Sequence, residues 1–281
     1  MAERRVHTVI GGGGIRLHVE ETGNPRGPGV LFIHGYSQCR LAWRRQMDSA
    51  LVGELRLVAM DSRGHGLSEK PKDAYADSRL WADDVQAVID TLELNHPILC
   101  CSYGVVICDY VRHHGEGAVA GYNMVSAVTR LNVPQAEGML SPEFHELVPG
   151  FFSTDVETSV TALVSLIRLS TAVELAPEQV WAMLGYNVIV PPHVREALSS
   201  RRLLNDDVLR SMQKPALITH GERDAIAPVD TTARLHARLL PNARLSLYSD
   251  VGHAPYLEDS GRFNRELLAF VLSFAGAAVP A

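Results

Sequence analysis

The amino-acid sequence predicts an α/β protein in which a mostly parallel, twisted sheet is flanked by helices and carries an inserted helical lid. Two patterns indicate this fold class. Short apolar runs of strand length alternate with helix-spaced segments up to about residue 128, and strands resume at residue 214. Between these parts, residues 129–213 have mostly helical spacing. We therefore expect a core formed by residues 1–128 and 214–281, and a helical cap or lid formed by residues 129–213.

The beginning of the chain predicts two strands joined by a flexible glycine hairpin. The four consecutive glycines 11–14 suggest a phosphate-binding loop at first sight. The segment that follows, Ile15–Val19, alternates like a strand and does not begin a helix. Without a helix N-terminus there is no cradle for an anion, so a hairpin between strands is the better interpretation.

The next strands each end in a loop with polar residues. The strand Val30–Ile33 runs into His34-Gly35-Tyr36, and the strand Leu57–Met60 runs into a loop that begins at Asp61. Loops that follow the strands of a parallel sheet gather at one edge of the sheet. We expect that edge to carry the chemistry.

A serine at a sharp strand-to-helix turn is the candidate nucleophile. An apolar strand ends at Cys100 or Cys101, a helix begins near Val105, and Ser102 lies at the bend. A turn this tight strains its apex residue and requires small residues two positions before and after it. Around Ser102 these are Cys100 and Gly104, whereas a leucine and a tyrosine would flank the neighbouring thiol. Steric reasoning therefore favours the serine.

A serine hydroxyl needs a base to take its proton and an acid to orient that base. Asp224 follows the predicted strand 214–219, and His253 follows the predicted strand 244–248. If both strands are parallel to the strand before Ser102, the three side chains meet at the same sheet edge. We expect Ser102, Asp224 and His253 to act as a catalytic triad.

With these motifs the chain resembles the α/β-hydrolase family, in which the triad occurs in the order Ser, Asp, His. The resemblance spans roughly residues 6–275 and departs from the usual glycine-rich elbow at Cys100 and Val105. It implies an oxyanion hole formed by the backbone N–H groups of Tyr36 and Tyr103. It also implies a small lidded serine esterase or lactonase, similar to carboxylesterases and N-acyl homoserine lactone hydrolases, that works through an acyl-enzyme on Ser102.

Two other functions stay open at this point. A cofactor-free haloperoxidase or perhydrolase uses the same triad. A non-catalytic ligand-binding homologue is the second alternative, because Cys100 and Val105 replace glycines at the elbow.

The lid sequence indicates the substrate. Prolines 142, 149, 177, 191 and 192 are expected to mark helix breaks. Apolar lid side chains are expected to pack within the lid or to line an acyl pocket. The candidates for binding substrate are Phe144, Phe151, Phe152, Trp181 and Tyr186. We expect the partner to be a small ester or lactone with an apolar acyl group.

Other acidic residues have structural interpretations. Asp61 is expected to form a loop-fixing ion pair with Arg63, and Asp109 is expected to be a surface or structural residue on the helix after the elbow. The histidines lack the spacing of metal ligands, so the sequence predicts no metal and no cofactor.

Composition excludes several function classes. A net charge of −6 with a pI near 6.0 argues against a nucleic-acid surface. Four cysteines without a spaced framework suit a reducing compartment. The chain shows neither a signal-peptide pattern nor a membrane span, and its apolar tail from Ala269 is short. These observations predict a cytoplasmic protein without membrane partners, and they do not determine its oligomeric state.

Overall fold

A computed structural model describes residues 3–275, so the end of the apolar tail lies outside the described residues. Its centre is an eight-stranded sheet with the strand order β1-β2-β4-β3-β5-β6-β9-β10. Six neighbouring strands from β4 to β10 are parallel, and β2 runs antiparallel to both β1 and β4. The strands of this sheet are β1 (Arg5–Ile10), β2 (Arg16–Gly23), β3 (Gly29–Ile33), β4 (Arg56–Met60), β5 (Ile98–Cys101), β6 (Gly121–Val125), β9 (Ala216–Gly221) and β10 (Ala243–Tyr248).

Helices cover both faces of the sheet. Residues of α2, α3, α8 and α9 share one apolar cluster with one sheet face, and residues of α1 and α11 share another with the opposite face. These helices are α1 (Arg44–Met47), α2 (Ser78–Thr91), α3 (Gly104–His114), α8 (Asp206–Ser211), α9 (Ala233–Leu239), α10 (Pro255–Glu258) and α11 (Ser260–Ala275). The predicted fold class is confirmed.

Between β6 and β9 the chain forms four helices and a two-stranded ribbon. The helices are α4 (Pro142–Phe151), α5 (Val156–Leu169), α6 (Pro177–Val188) and α7 (Pro192–Ser199), and the ribbon pairs β7 (Arg130–Leu131) with β8 (Leu203–Leu204). Three of the predicted proline breaks are helix starts, where proline fits because the first N–H has no helical partner. Pro149 instead lies within α4. Residues of α4, α5 and α6 share an apolar cluster with residues of the loops after β3 and β9, whereas Val194 and Leu198 of α7 belong to the cluster that contains α2 and α3.

Ion pairs fix the loops at the catalytic edge, but not in the predicted pairing. Asp61 binds Arg40 at 2.8 Å, and Arg63 forms two 2.7 Å hydrogen bonds to Asp84 of α2. The expected pair between Asp61 and Arg63 is therefore wrong. Each side chain reaches across the fold to a partner distant in sequence, which local spacing does not reveal.

The glycine run forms the predicted hairpin connection between β1 and β2. Gly12 donates its N–H to the Asp84 carboxylate at 2.9 Å, which attaches the turn to α2. A side chain at Gly12 would meet the Leu80 carbonyl at 2.7 Å, and Gly13 has a φ of 71°. Close approach and a left-handed backbone both require glycine here.

All four cysteines are reduced and buried. Burial raises the pKa of Cys39 to about 12 and the pKa of the other three well above the ordinary value. Within residues 3–275, no helix is long and apolar enough to cross a membrane, and no cluster of metal-ligating side chains occurs.

Candidate active site

Ser102 lies between the end of β5 and the start of α3, and its side chain reaches the cavity under the lid. Its N–H donates to the Ile33 carbonyl at 3.2 Å, so the pairing between β3 and β5 continues into the turn. Gly104 begins the helix where a Cβ atom would stand 2.7 Å from the Ala127 Cβ and 2.9 Å from the Val128 carbonyl. The small residue that steric reasoning required after the serine is therefore needed for helix packing against the β6 loop.

The turn differs from the expected strained apex. Ser102 does not have a positive φ. Two other serines do, Ser37 with a φ of 56° and Ser126 with a φ of 45°. Ser102 continues the strand pairing through its N–H, and Tyr103, the residue before α3, has φ −100° and ψ 80°. The strained positions instead lie in the neighbouring loops after β3 and β6.

His253 and Asp224 come together as the sequence predicted. His253 Nδ1 lies 2.8 Å from Asp224 Oδ2, with the Asp224 carboxyl group fully buried. Asp224 Oδ1 accepts the backbone N–H groups of Ile226 and Ala227 at 2.8 and 2.9 Å. The backbone thus orients the carboxylate, and the carboxylate orients the imidazole with Nε2 left for another partner.

A second histidine contacts the same carboxylate, and sequence reasoning missed it. His220, at the end of β9, lies with Nε2 3.0 Å from Asp224 Oδ2 and 2.8 Å from the Ala227 carbonyl. It is fully buried. Burial alone would raise the pKa of Asp224, but the charges and hydrogen bonds of His253 and His220 outweigh it and hold that pKa well below its usual range.

Ser102 and His253 line the same cavity, but within the described residues no hydrogen bond joins Ser102 Oγ to the imidazole. Gly35 lies against the serine from the other side, because a Cβ there would stand 3.0 Å from Ser102 Oγ. Glycine at this position therefore lets the loop after β3 approach the hydroxyl without a tight contact. Catalytic hydrogen bonds are often long in unliganded enzymes and shorten when substrate binds.

The loop after β3 brings the backbone of Gly35 and Tyr36 to the cavity wall. Gly35 donates its N–H to Gln38 Oε1 at 3.0 Å, and its carbonyl lies 2.8 Å from His34 Nδ1. Gln38, which the sequence did not suggest as a site residue, in turn donates its side-chain N–H to the Tyr256 hydroxyl at 3.2 Å. Over residues 3–275, the amides of Tyr36 and Tyr103 donate to no other protein group, and both residues line the cavity. They are available as oxyanion donors.

The cavity has a volume of about 150 Å³ and lies between the sheet edge and the lid helices. Its wall is mainly apolar and holds no Asp, Glu, Lys or Arg among the described residues. The lid contributes Leu131, Asn132, Leu140, Phe144, His145, Val148, Leu166, Ile167, Ser170, Met183, Asn187, Leu198 and Ser199. Such a wall accommodates an uncharged group.

Of the five predicted substrate contacts, the structure places Phe144 in the cavity wall. The prediction for Trp181 is wrong, because this side chain is 63% exposed on the outer surface of α6. Phe151, Phe152 and Tyr186 belong to the apolar cluster of the lid and do not line the cavity. They support the wall from behind.

The competing acid Asp109 has a structural position. It is buried on α3 and binds Arg201 at 2.7 Å. Arg201 follows α7, so this buried pair attaches the end of the lid to the helix behind the elbow.

A buried carboxylate, an oriented imidazole and a serine at one edge of a parallel sheet, under a helical lid, define an α/β hydrolase. The chain belongs to the alpha/beta hydrolase fold family, whose sequence profile it matches over residues 28–260.

Solved structures and characterised relatives agree with this membership. The chain is 32% identical to the esterase RhEst1 from Rhodococcus sp. ECU1013, with a TM-score of 0.88 over 95% of this chain and 98% of that one. It is 27% identical to the non-heme chloroperoxidase CPO-A1 of Kitasatospora aureofaciens over 92% of this chain and 96% of that protein. It is 25% identical to the bifunctional esterase/perhydrolase DCH of Acinetobacter calcoaceticus over 92% and 97% of the two chains. The chain is thus an esterase-like member of the family.

Proposed function

We propose that this protein is a serine esterase that hydrolyses uncharged carboxylic esters through an acyl-enzyme on Ser102. The observation that carries the proposal is the opening of Ser102 and His253 onto one apolar cavity, with His253 held by the buried Asp224. An acyl group and its reacting carbonyl can occupy such a cavity without burying a charge.

The reaction begins when His253 Nε2 takes the Ser102 proton and Oγ attacks the carbonyl carbon. The carbonyl oxygen becomes negative and accepts the N–H groups of Tyr36 and Tyr103. The tetrahedral intermediate collapses, and the alcohol leaves with the proton that His253 returns. Water then attacks the acyl-enzyme with His253 again as base, which releases the acid and regenerates Ser102.

Replacement of the nucleophile tests this proposal. We expect Ser102→Ala to lose p-nitrophenyl butyrate hydrolysis by about 10⁴-fold or more while its melting temperature stays close to that of the wild type. Stoichiometric labelling of the wild type, but not of the variant, by an organophosphate provides the control. A variant that retains the wild-type rate would end the proposal, and a wild type that neither cleaves esters nor takes the label would favour a non-catalytic binding protein.

A panel of p-nitrophenyl esters of increasing acyl length and of lactones, including N-acyl homoserine lactones, distinguishes the ester from the lactone substrate. The lactone is the alternative within the same chemistry, because ring opening uses the same acyl-enzyme.

Perhydrolysis is the second candidate, supported by the relatives named as a chloroperoxidase and as an esterase/perhydrolase. In that reaction hydrogen peroxide replaces water as the attacking group, so the acyl-enzyme yields a peracid. Bromination assayed with peroxide and acetate, beside ester cleavage, measures the share of each activity.

A further inference from the structure

Tyr36 connects two parts of the molecule. Its backbone N–H belongs to the loop after β3 that faces Ser102, while its side chain extends into the lid. The hydroxyl donates to the Arg195 carbonyl at 3.1 Å and accepts from Ser199 Oγ at 3.0 Å, both in α7. One residue thus carries a proposed oxyanion donor at one end and a lid contact at the other.

The lid end of this connection is well fixed. The buried Arg195 guanidinium donates to the Phe151 carbonyl at 2.6 Å, to the Asn187 carbonyl at 3.2 Å and also to the Val190 carbonyl. These carbonyls lie at the ends of α4 and α6. The backbone of α7 that accepts the Tyr36 hydroxyl is therefore held by the other lid helices.

The loop end of the connection is strained. Ser37 directly follows Tyr36 and has a φ of 56°, a left-handed conformation that a non-glycine residue adopts only when its surroundings enforce it. The Tyr36 ring also contacts Phe144 and Phe151, with centroids 6.4 and 6.0 Å away. A phenylalanine would keep these ring contacts and lose only the two hydroxyl hydrogen bonds.

We infer that the Tyr36 hydroxyl is a positioning group, through which lid helix α7 holds the Tyr36 N–H in place for the developing oxyanion. The inference rests on the proposed esterase function. The donor must meet the charged oxygen of the transition state, while the neutral ground-state carbonyl gains little from it. Loosening the loop should therefore slow the chemical step and leave substrate binding nearly unchanged.

The experiment measures kcat and KM for p-nitrophenyl butyrate in the Tyr36→Phe variant. We expect kcat to fall about 10-fold, less than the loss from deleting a donor, with KM within about twofold of the wild type. The inhibition constant of phenylboronic acid, whose adduct with Ser102 places an oxygen at the donors, should rise by a similar factor. A purely structural role for the hydroxyl would lower the melting temperature without this separation of kcat from KM.

A double-mutant cycle that combines Tyr36→Phe with Ser199→Ala tests whether Ser199 acts through the Tyr36 hydroxyl. Ser199 reaches Tyr36 through its own hydroxyl, so the double variant should be no slower than Tyr36→Phe alone. If the decreases in kcat of the two single variants add in the double variant, Ser199 acts independently in the cavity wall. That result would overturn the proposed coupling between Ser199 and Tyr36.

Tyr110→Phe is the matched control. This buried tyrosine on α3 donates to Gln86 Oε1 of α2 at 3.0 Å and does not line the cavity. It should lose a comparable hydrogen bond and keep the wild-type kcat. Full kcat in Tyr36→Phe, in an enzyme that Ser102→Ala inactivates, would overturn this inference alone. A wild type without Ser102-dependent ester hydrolysis would overturn the proposed function, and the inference would fail together with it.

Discussion

At the scale of single residues, the fold surrounds the buried carboxylate of Asp224 with hydrogen-bond donors that stabilise its negative charge. Both of its oxygens face N–H groups, from two backbone amides on one side and from His253 and His220 on the other. A buried carboxylate surrounded by donors stays ionised far below neutral pH. His253 therefore meets a negative charge throughout the range in which an esterase works.

The low pKa of Asp224 predicts how stability depends on pH. The folded pKa is below the unfolded value of about 3.9, so the ionised carboxyl stabilises the fold above that value and this contribution is lost as the pH falls through the folded pKa. We expect Asp224→Asn to lose about 10⁴-fold in kcat and to show a smaller decrease in stability between pH 5 and 2 than the wild type. Urea unfolding across this range measures the difference. Parallel curves for the two proteins would contradict the assignment.

At the scale of elements, one buried cation, Arg195 of α7, forms hydrogen bonds to three other lid helices and has no carboxylate partner among the described residues. Arg195 is 2% exposed, and its donors reach carbonyls at the ends of α4 and α6 as well as the Ser159 hydroxyl in α5. The C-terminal ends of helices carry partial negative charge, which offsets part of the cost of burying the guanidinium. Burial still lowers the pKa of Arg195 from its ordinary value.

Removing this cation should loosen the lid. We expect Arg195→Met to destabilise the protein by about 2–4 kcal/mol, because the carbonyls that it satisfies lose their donors. Hydrogen exchange should become faster in α4, α6 and α7 and stay unchanged in the central strands. The exposed Arg168 of α5 provides a control, since Arg168→Met should change stability by less than about 0.5 kcal/mol.

The elements were largely predictable, whereas contacts between them were not. Buried strands and their following polar loops are local patterns, so Ser102, Asp224 and His253 could be predicted from the small residues around Ser102, from the parallel strands and from the Ser, Asp, His order. Helix periodicity identified the apolar side of α6 but not which lid residues face the cavity, and Trp181 was misplaced for that reason. The partners of His220 and Arg195 lie in segments that only the tertiary structure brings together, so local sequence patterns do not predict them.

At the scale of the whole molecule, the lid contacts the loops that carry Tyr36, Asp224 and His253. Ser141 at the start of α4 donates to the Ala225 carbonyl at 2.6 Å in the acid loop. Glu258 accepts N–H groups from Gly252, beside His253, at 2.9 Å and from Ala172 in the lid at 2.7 Å. With the Tyr36 contact, these bonds make the lid part of the framework that positions the site.

The uncharged cavity predicts discrimination by substrate charge. A volume of about 150 Å³ corresponds to an apolar cavity that holds one benzene molecule, so short or single-ring acyl groups should fit best. A carboxylate on the acyl chain would be buried without a Lys or Arg partner in the described cavity wall. We expect kcat/KM for p-nitrophenyl succinate, with its free carboxylate, to be about 10²-fold or more below that for its neutral methyl ester. Equal values would show that the acyl group binds elsewhere.

The burial of all four thiols has a practical consequence for following the protein in solution. A maleimide added to the folded protein meets no accessible sulfur, whereas an unfolded molecule offers four. The mass gained after a brief pulse of reagent therefore counts the molecules that have opened, independently of any substrate. The same property restricts covalent inactivation of the native protein by thiol reagents, so that a serine-directed reagent acts on a background free of cysteine adducts.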